Sequence, residues 1–296
     1  MRRLVSGFVA FVTAFWGLAA VAPAAQAAEA AEAVPFPVPG QEVVVGCGNA
    51  EVAIQVVWAA DAVSLRYRLH DTAADGRSPV LRISAVTGDG GSAAHVFDDG
   101  TVTRVRADGE GLGPWGGEDD WDPGTVGAVD HLRVEVADGT PAEGTRCTQH
   151  ADLYDWSRLG LRQALEKEGA PYSETGGDGP AYDCSGLVHA SYAEVAGFPG
   201  WPVRSSEAMY DWARTHPGQG RVYAQEVPYS ELQAGDLIFY DVDGEFTGNV
   251  THVAFYAGDG NVFDVHRTGV PVGLHADWVN FRVAAYRILG AVERDS

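Results

Sequence analysis

Cys184 stands in the run Ala181-Tyr182-Asp183-Cys184-Ser185-Gly186-Leu187-Val188, where a polar, glycine-containing loop meets an apolar segment. This places a thiol in the first turn of a predicted helix. The unsatisfied N–H groups and positive dipole end of a helix start favour the thiolate, and the same amides can stabilise an oxyanion formed by attack on a carbonyl. An inert buried cysteine is the competing reading of the segment taken alone. A thiol nucleophile needs a base, normally a histidine held by a third polar group. Of the nine histidines, His70, His95 and His131 lie in a β-rich half, His150 at a junction, and His216 and His275 in loop-like stretches, all expected at the surface. His189, five residues along the nucleophile's own helix, turns away from its start. His252 differs, because in Val250-Thr251-His252-Val253-Ala254-Phe255-Tyr256 alternation places it with Ala254 and Tyr256 on one strand face.

The hairpin after that strand supplies the third group. If Gly258-Asp259-Gly260 is a three-residue loop, Ala254 faces Asp264 and His252 faces His266, so both candidates share the His252 face. A two-residue loop would reverse that parity. Asp264 would polarise an imidazolium, whereas His266 would orient the ring by a neutral hydrogen bond; both remain open at this point.

Around these residues, helices are predicted over about Leu153 to Glu168 and Ser185 to Val195, followed by strands at Asp236 to Tyr240, Val250 to Ala257, Val262 to His266 and Val283 to Ile288. Helices first and an antiparallel sheet afterwards is an α+β layout. Upstream, Gln41 to Cys147 reads as short strands with period-two alternation at Val52 to Val57, Val63 to Leu69, Pro79 to Ile83, Thr101 to Val105 and Val129 to Val136. This predicts an all-β, sandwich-like domain over 41–150 preceding a catalytic domain over 151–296.

The amino terminus sets the compartment. Arg2 and Arg3 precede an apolar run from Leu4 to Ala22, and Ala25 and Ala27 fit cleavage after Ala27, so residues 1–27 read as a secretory signal peptide and 28–40, with Pro35, Pro37 and Pro39, as a linker. An uncleaved anchor is the alternative; no stable membrane span is expected once the signal is removed. In an oxidising compartment, Cys47 near the first strand and Cys147 just past the last are expected to pair, tying the β-domain's start to its end. Cys184 is then left as a free thiol, an unusual feature for an exported chain.

Four segments, Pro171 to Gly177, Tyr182 to Val188, Leu232 to Tyr240 and Thr251 to Gly258, occur in an order that resembles the NlpC/P60 cell-wall peptidases over about 152–287. The resemblance implies a papain-like α+β fold with Cys184 as nucleophile, His252 as base and the third position at Asp264, twelve residues on. The family usually carries His, Asn or Gln there, so the aspartate is a departure and His266 is a possible displaced substitute. The resemblance further implies Tyr172 beside the oxyanion site, Asp183 and Ser185 near the substrate's free amino group, and Arg204 in an Arg-Ser pair after the nucleophile helix. The stretch from Trp201 to Tyr229 is longer than usual and is expected to reshape the groove.

The function so implied is hydrolysis of γ-D-glutamyl–diamino acid amide bonds in peptidoglycan stem peptides, without cofactor or metal, by a chain that is secreted or cell-wall associated. The alternatives are a non-catalytic wall- or partner-binding protein with a degenerate peptidase domain, and another thiol amidase or acyltransferase on the same fold. The 296 residues carry 20 basic and 41 acidic side chains, a formal charge of −21, which excludes a general nucleic-acid binder. No ligand is assigned to the β-rich half.

Overall fold

Alternation of apolar and polar residues makes strands one-sided, and this chain stacks such strands into two layers. The computed structural model describes residues 41–58, 63–73, 75–87, 92–93, 117–121, 129–176, 179–218, 220–242 and 249–295. The expected signal peptide, the linker and the strand at Thr101 to Val105 lie outside the described residues. One sheet is antiparallel in the order β1-β2-β3-β6, formed by β1 (Gln41–Cys47), β2 (Ala50–Trp58), β3 (Val63–Asp71) and β6 (Gly117–Trp121). The facing layer contains β4 (Pro79–Thr87), β5 (Ser92–Ala93), β7 (Val129–Asp138) and β8 (Cys147–Asp155). Val45, Val52, Ile54 and Trp58 from the first sheet pack with Leu81, Ile83, Leu132 and Val134 from the second in one buried cluster. This is the sandwich-like half.

The second layer does not stop at residue 150. β8 pairs with β7 on one side and with β14 (Arg282–Asp295) on the other, from Leu289↔Asp155 to Asp295↔Gln149. The sheet then continues through β10 (Leu237–Tyr240), β11 (His252–Gly258), β12 (Asn261–Asp264) and β13 (Gly273–Ala276), with β9 (Tyr223–Glu226) also on β14. The division expected at 150/151 thus falls inside a shared strand. Gln41 reinforces the junction, accepting from the Trp58 indole at 3.2 Å and donating to the Gly290 carbonyl at 2.7 Å.

Three α-helices among the described residues, α1 (Trp156–Leu165), α2 (Cys184–Ala193) and α3 (Ser206–Thr215), complete the α+β architecture. The first helix begins later than expected. Leu153 belongs to β8, and Asp155 ends that strand as the N-cap, its side chain accepting from the Arg158 N–H. α1 and α2 pack tightly because Gly160 lies against the Tyr192 ring, where a Cβ would come within 2.8 Å of it. Among the described residues no helix is long and apolar enough to cross a membrane.

Two covalent and ionic ties fix this frame. Cys47 and Cys147 form a disulfide with a Cα–Cα distance of 6.0 Å across 100 residues of sequence. In the chain-entropy model a loop of that length stabilises by up to about 4.7 kcal/mol. Replacing both cysteines by alanine is expected to lower the unfolding free energy by about 2–5 kcal/mol in denaturant titration; no loss would show that the bond is dispensable.

Asp236 and Arg287 form the ionic tie. They make a two-pronged buried pair at 2.8 Å for each contact, and Asp236 also accepts from the Gln233 N–H. Burial lowers the Arg287 pKa, but its bonds and attraction to Asp236 outweigh that, so it is raised overall. Arg287→Met would leave a buried carboxylate unpaired and is expected to cost about 3–5 kcal/mol in the same titration. Unchanged stability would count against the pair as a structural tie.

Candidate active site

Cys184 occupies the first position of α2, which packs on β11. Asp183 is the N-cap in extended conformation, and its Oδ1 accepts from the Gly186 N–H and from the Ser185 hydroxyl at 3.0 Å. The two residues expected at the substrate's amino group are therefore engaged with each other in the cap. The loop before them is stitched to a second segment: Ser173 N–H donates to the Tyr182 carbonyl, Tyr182 N–H to that of Pro171, and Asp183 N–H to that of Gly176. Arg204 donates from Nη2 to the Gly176 carbonyl at 3.1 Å, so it braces this loop from behind. Gly186 is needed because a Cβ there would lie 2.5 Å from the Gly176 carbonyl oxygen.

Tyr172 is half-buried beside the same loop, packed against the core with Cys184. Burial, and then the negative charges of Cys184, Glu174 and Asp183, push its phenol pKa up.

His252 is 4% exposed, at the start of β11. Its Nε2 meets Asp264 Oδ2 at 2.7 Å. Burial pulls the His252 pKa down, but the hydrogen bonds to Asp264 and Cys184 and the attraction of both outweigh it, raising the imidazole to about 9. Asp264 is 1% exposed. Burial raises its carboxyl, yet hydrogen bonds from His252 and His275 and the charges of His252 and His266 leave it lowered overall.

The hairpin geometry explains why Asp264 reaches the ring. Phe255 pairs with Phe263 and Tyr256 with Val262, after which the register shifts and Gly258 pairs with Asn261. Asp259 and Gly260, both with positive φ, form the two-residue tip. A two-residue tip alone would have reversed the parity, but the irregularity between Tyr256 and Gly258 adds one residue and restores it. Asp264 thus lies on the His252 side.

His266 meets His252 only edge-on, with ring centroids 6.5 Å apart, and its Nδ1 lies 3.6 Å from Asp264 Oδ1. His275 was expected at the surface of a loop. It lies instead on β13, and its Nδ1 bonds Asp264 Oδ1. Trp278 covers the cluster, its ring 5.1 Å from His252 and 4.9 Å from His266. Neither His275 nor Trp278 stood out in the sequence. The available signal for His275 was its period-two spacing from Gly273, but only strand pairing brings it to Asp264.

A buried carboxylate, an imidazole and a thiol grouped at a helix start are residue types that can deliver a thiolate to a carbonyl.

Known proteins resemble this chain in the same region and beyond it. A family model described as "NlpC/P60 family" matches residues 169–281. A protein of Corynebacterium glutamicum (strain R) named "Probable endopeptidase" is 31% identical over 212 residues, covering 69% of this chain and 88% of the relative. The peptidoglycan endopeptidase RipA of Mycobacterium tuberculosis is 29% identical over 126 residues, 38% of this chain and 22% of that protein. A solved NLP/P60-family structure from Staphylococcus aureus is 30% identical, with a TM-score of 0.34, covering 45% of this chain and 41% of the other. On the match to residues 169–281 and the likeness that spans most of the Corynebacterium relative, this chain belongs to the NlpC/P60 family.

Proposed function

We propose that this protein is a secreted cysteine endopeptidase that hydrolyses γ-D-glutamyl–diamino acid amide bonds in peptidoglycan stem peptides. The observation that carries this reading is the grouping of Cys184, His252 and Asp264, with the imidazole held by Asp264 at 2.7 Å and its pKa raised by both Asp264 and Cys184. The name of RipA as a peptidoglycan endopeptidase supports the substrate class. His252 takes the Cys184 proton, the thiolate attacks the amide carbon, and the amides at the start of α2 receive the developing oxyanion. The imidazolium then protonates the leaving amine. Water, deprotonated by His252, hydrolyses the thioester and frees Cys184.

Asp264 departs from the residue the family usually carries, which raised the alternative of a degenerate domain. Its 2.7 Å contact to His252 favours activity, because a carboxylate holds an imidazolium more strongly than a neutral side chain does. The deciding experiment is digestion of purified peptidoglycan followed by mass spectrometry. New γ-glutamyl carboxyl ends and matching free amines are expected. Intact stem peptides after treatment with protein whose thiol titrates fully would sink the proposal.

A further inference from the structure

Asp264 has two oxygens, and His252 uses only one of them. Oδ2 meets His252 Nε2 at 2.7 Å, while Oδ1 faces Nδ1 of His275, which bonds it, and Nδ1 of His266 at 3.6 Å. The potential ligand atoms of Asp264, His266 and His275 all lie within 4.8 Å of one another. The His266 Nδ1 is buried and has no hydrogen-bond partner among the described residues; 3.6 Å is too long for one. A buried ring nitrogen in that state carries a desolvation cost that a ligand bond would offset.

The backbone explains the convergence. Asp264 pairs with Gly273 and Val262 with His275 across β12 and β13, so His275 is the diagonal neighbour of Asp264 on the same sheet face. Gly273 puts no side chain opposite Asp264, and a Cβ there would meet nothing within 4 Å. The His275 ring reaches across that gap. His266 arrives from two residues past Asp264, its ring at 82° to that of His275 with centroids 4.9 Å apart.

The geometry points to a binding site for a divalent transition cation, held by Asp264 Oδ1, His266 Nδ1 and His275 Nδ1. Two imidazoles and one carboxylate with an open fourth position match the ligand chemistry of zinc. Zinc–ligand bonds of about 2.0–2.2 Å put tetrahedral ligand atoms roughly 3.3 Å apart, and Asp264 Oδ1 lies 2.5 Å from His275 Nδ1 and 3.6 Å from His266 Nδ1. The His275 side chain is 24% exposed and gives the ion an entry path. Binding replaces the His275–Asp264 hydrogen bond with metal bonds, and any proton on either Nδ1 passes to solvent. No metal set is legible in the sequence, because the ligands come from two strands and the segment after one of them.

The cation is a brake and takes no part in the chemistry. It shares the Asp264 carboxylate with His252 and draws away the negative charge that holds the imidazolium. This consequence rests on the reading of His252 as the base; the binding itself does not.

The test uses Zn2+ on the full mature chain carrying Cys184→Ala, which removes the sulfur as a competing ligand. Calorimetry is expected to find one site, weakened at least tenfold when His266→Ala or His275→Ala is added, with folding checked by circular dichroism. Zinc-edge absorption of Cys184→Ala alone is expected to show two imidazoles, a readout that needs no histidine variant. No zinc bound, no imidazole in the edge spectrum, or equal affinity in folded histidine variants would overturn the site. In proteins that keep Cys184, the zinc concentration that halves turnover is expected to rise at least tenfold in His275→Ala, each rate referred to its own metal-free value. Equal sensitivity would overturn the brake.

Discussion

Cys184→Ala is expected to abolish turnover of peptidoglycan peptides, lowering kcat by on the order of 10⁴–10⁶-fold, while leaving the fold intact. The size follows from the mechanism: without the sulfur there is no thioester, and His252 and the α2 amides have no attacking group to activate. The fold is spared because Cys184 is only partly buried and opens the helix. The N-cap bond that the Gly186 N–H donates to Asp183 uses neither the sulfur nor its hydrogen. The same substitution tests the division of the three cysteines. Thiol titration of the native, unreduced protein should find one group, and none in Cys184→Ala, because Cys47 and Cys147 are joined. Retained hydrolysis in Cys184→Ala would reject the nucleophile, and two or three titrating thiols would reject the pairing in solution.

Parts of this fold were legible from local rules, and the failures have identifiable causes. The period-two runs at Val63 and Val129 became β3 and β7 because one face of each strand packs on the other layer. The helix at Cys184 was readable from the polar, glycine-containing loop that runs into an apolar segment. The first helix was misplaced at its beginning because β8 is buried on both faces over Ala151 to Asp155, and such a run has no period to separate it from a helix. Asp155 was the missed boundary signal. α3 was also missed, although Ser205 caps it, Glu207 sits in its first turn and Arg214 in its last. The shared sheet was not legible at all, since the pairing of β8 with β14 joins residues far apart in sequence.

The site divided along the same line. Cys184 and His252 could be chosen from local context, a helix start and a strand face. Asp264 and His266 could not be separated, because the choice turned on one residue of hairpin register. Placement of His275 needed the β12–β13 pairing as well.

Asp264→Asn is expected to lower kcat/KM by on the order of 10²–10⁴-fold and to move the alkaline limb of the pH profile downward. In the wild type, burial disfavours the charged His252 ring, and Asp264 and Cys184 together overcome it, giving a pKa of about 9. The asparagine keeps a hydrogen-bonding oxygen but not the charge, so burial is opposed chiefly by Cys184 and the imidazolium loses its proton at lower pH. Wild-type activity should fall as pH rises through about 9, where His252 ceases to supply a proton to the leaving amine. The stability linkage has the same sign: because the folded value lies above the ordinary histidine value of about 6.5, the contribution is complete below about 6.5 and is lost as pH rises through about 9. His266→Ala provides the contrast, since His266 approaches Asp264 through Oδ1, the oxygen His252 does not use, and meets the His252 ring only edge-on with centroids 6.5 Å apart. It should leave the alkaline limb closer to the wild-type position than Asp264→Asn does. A limb that stays near 9 in Asp264→Asn, with activity within a few-fold of wild type, would remove Asp264 as the group that holds the base. Full activity in both variants would remove both residues and require His252 to be oriented by Cys184 and Trp278 alone.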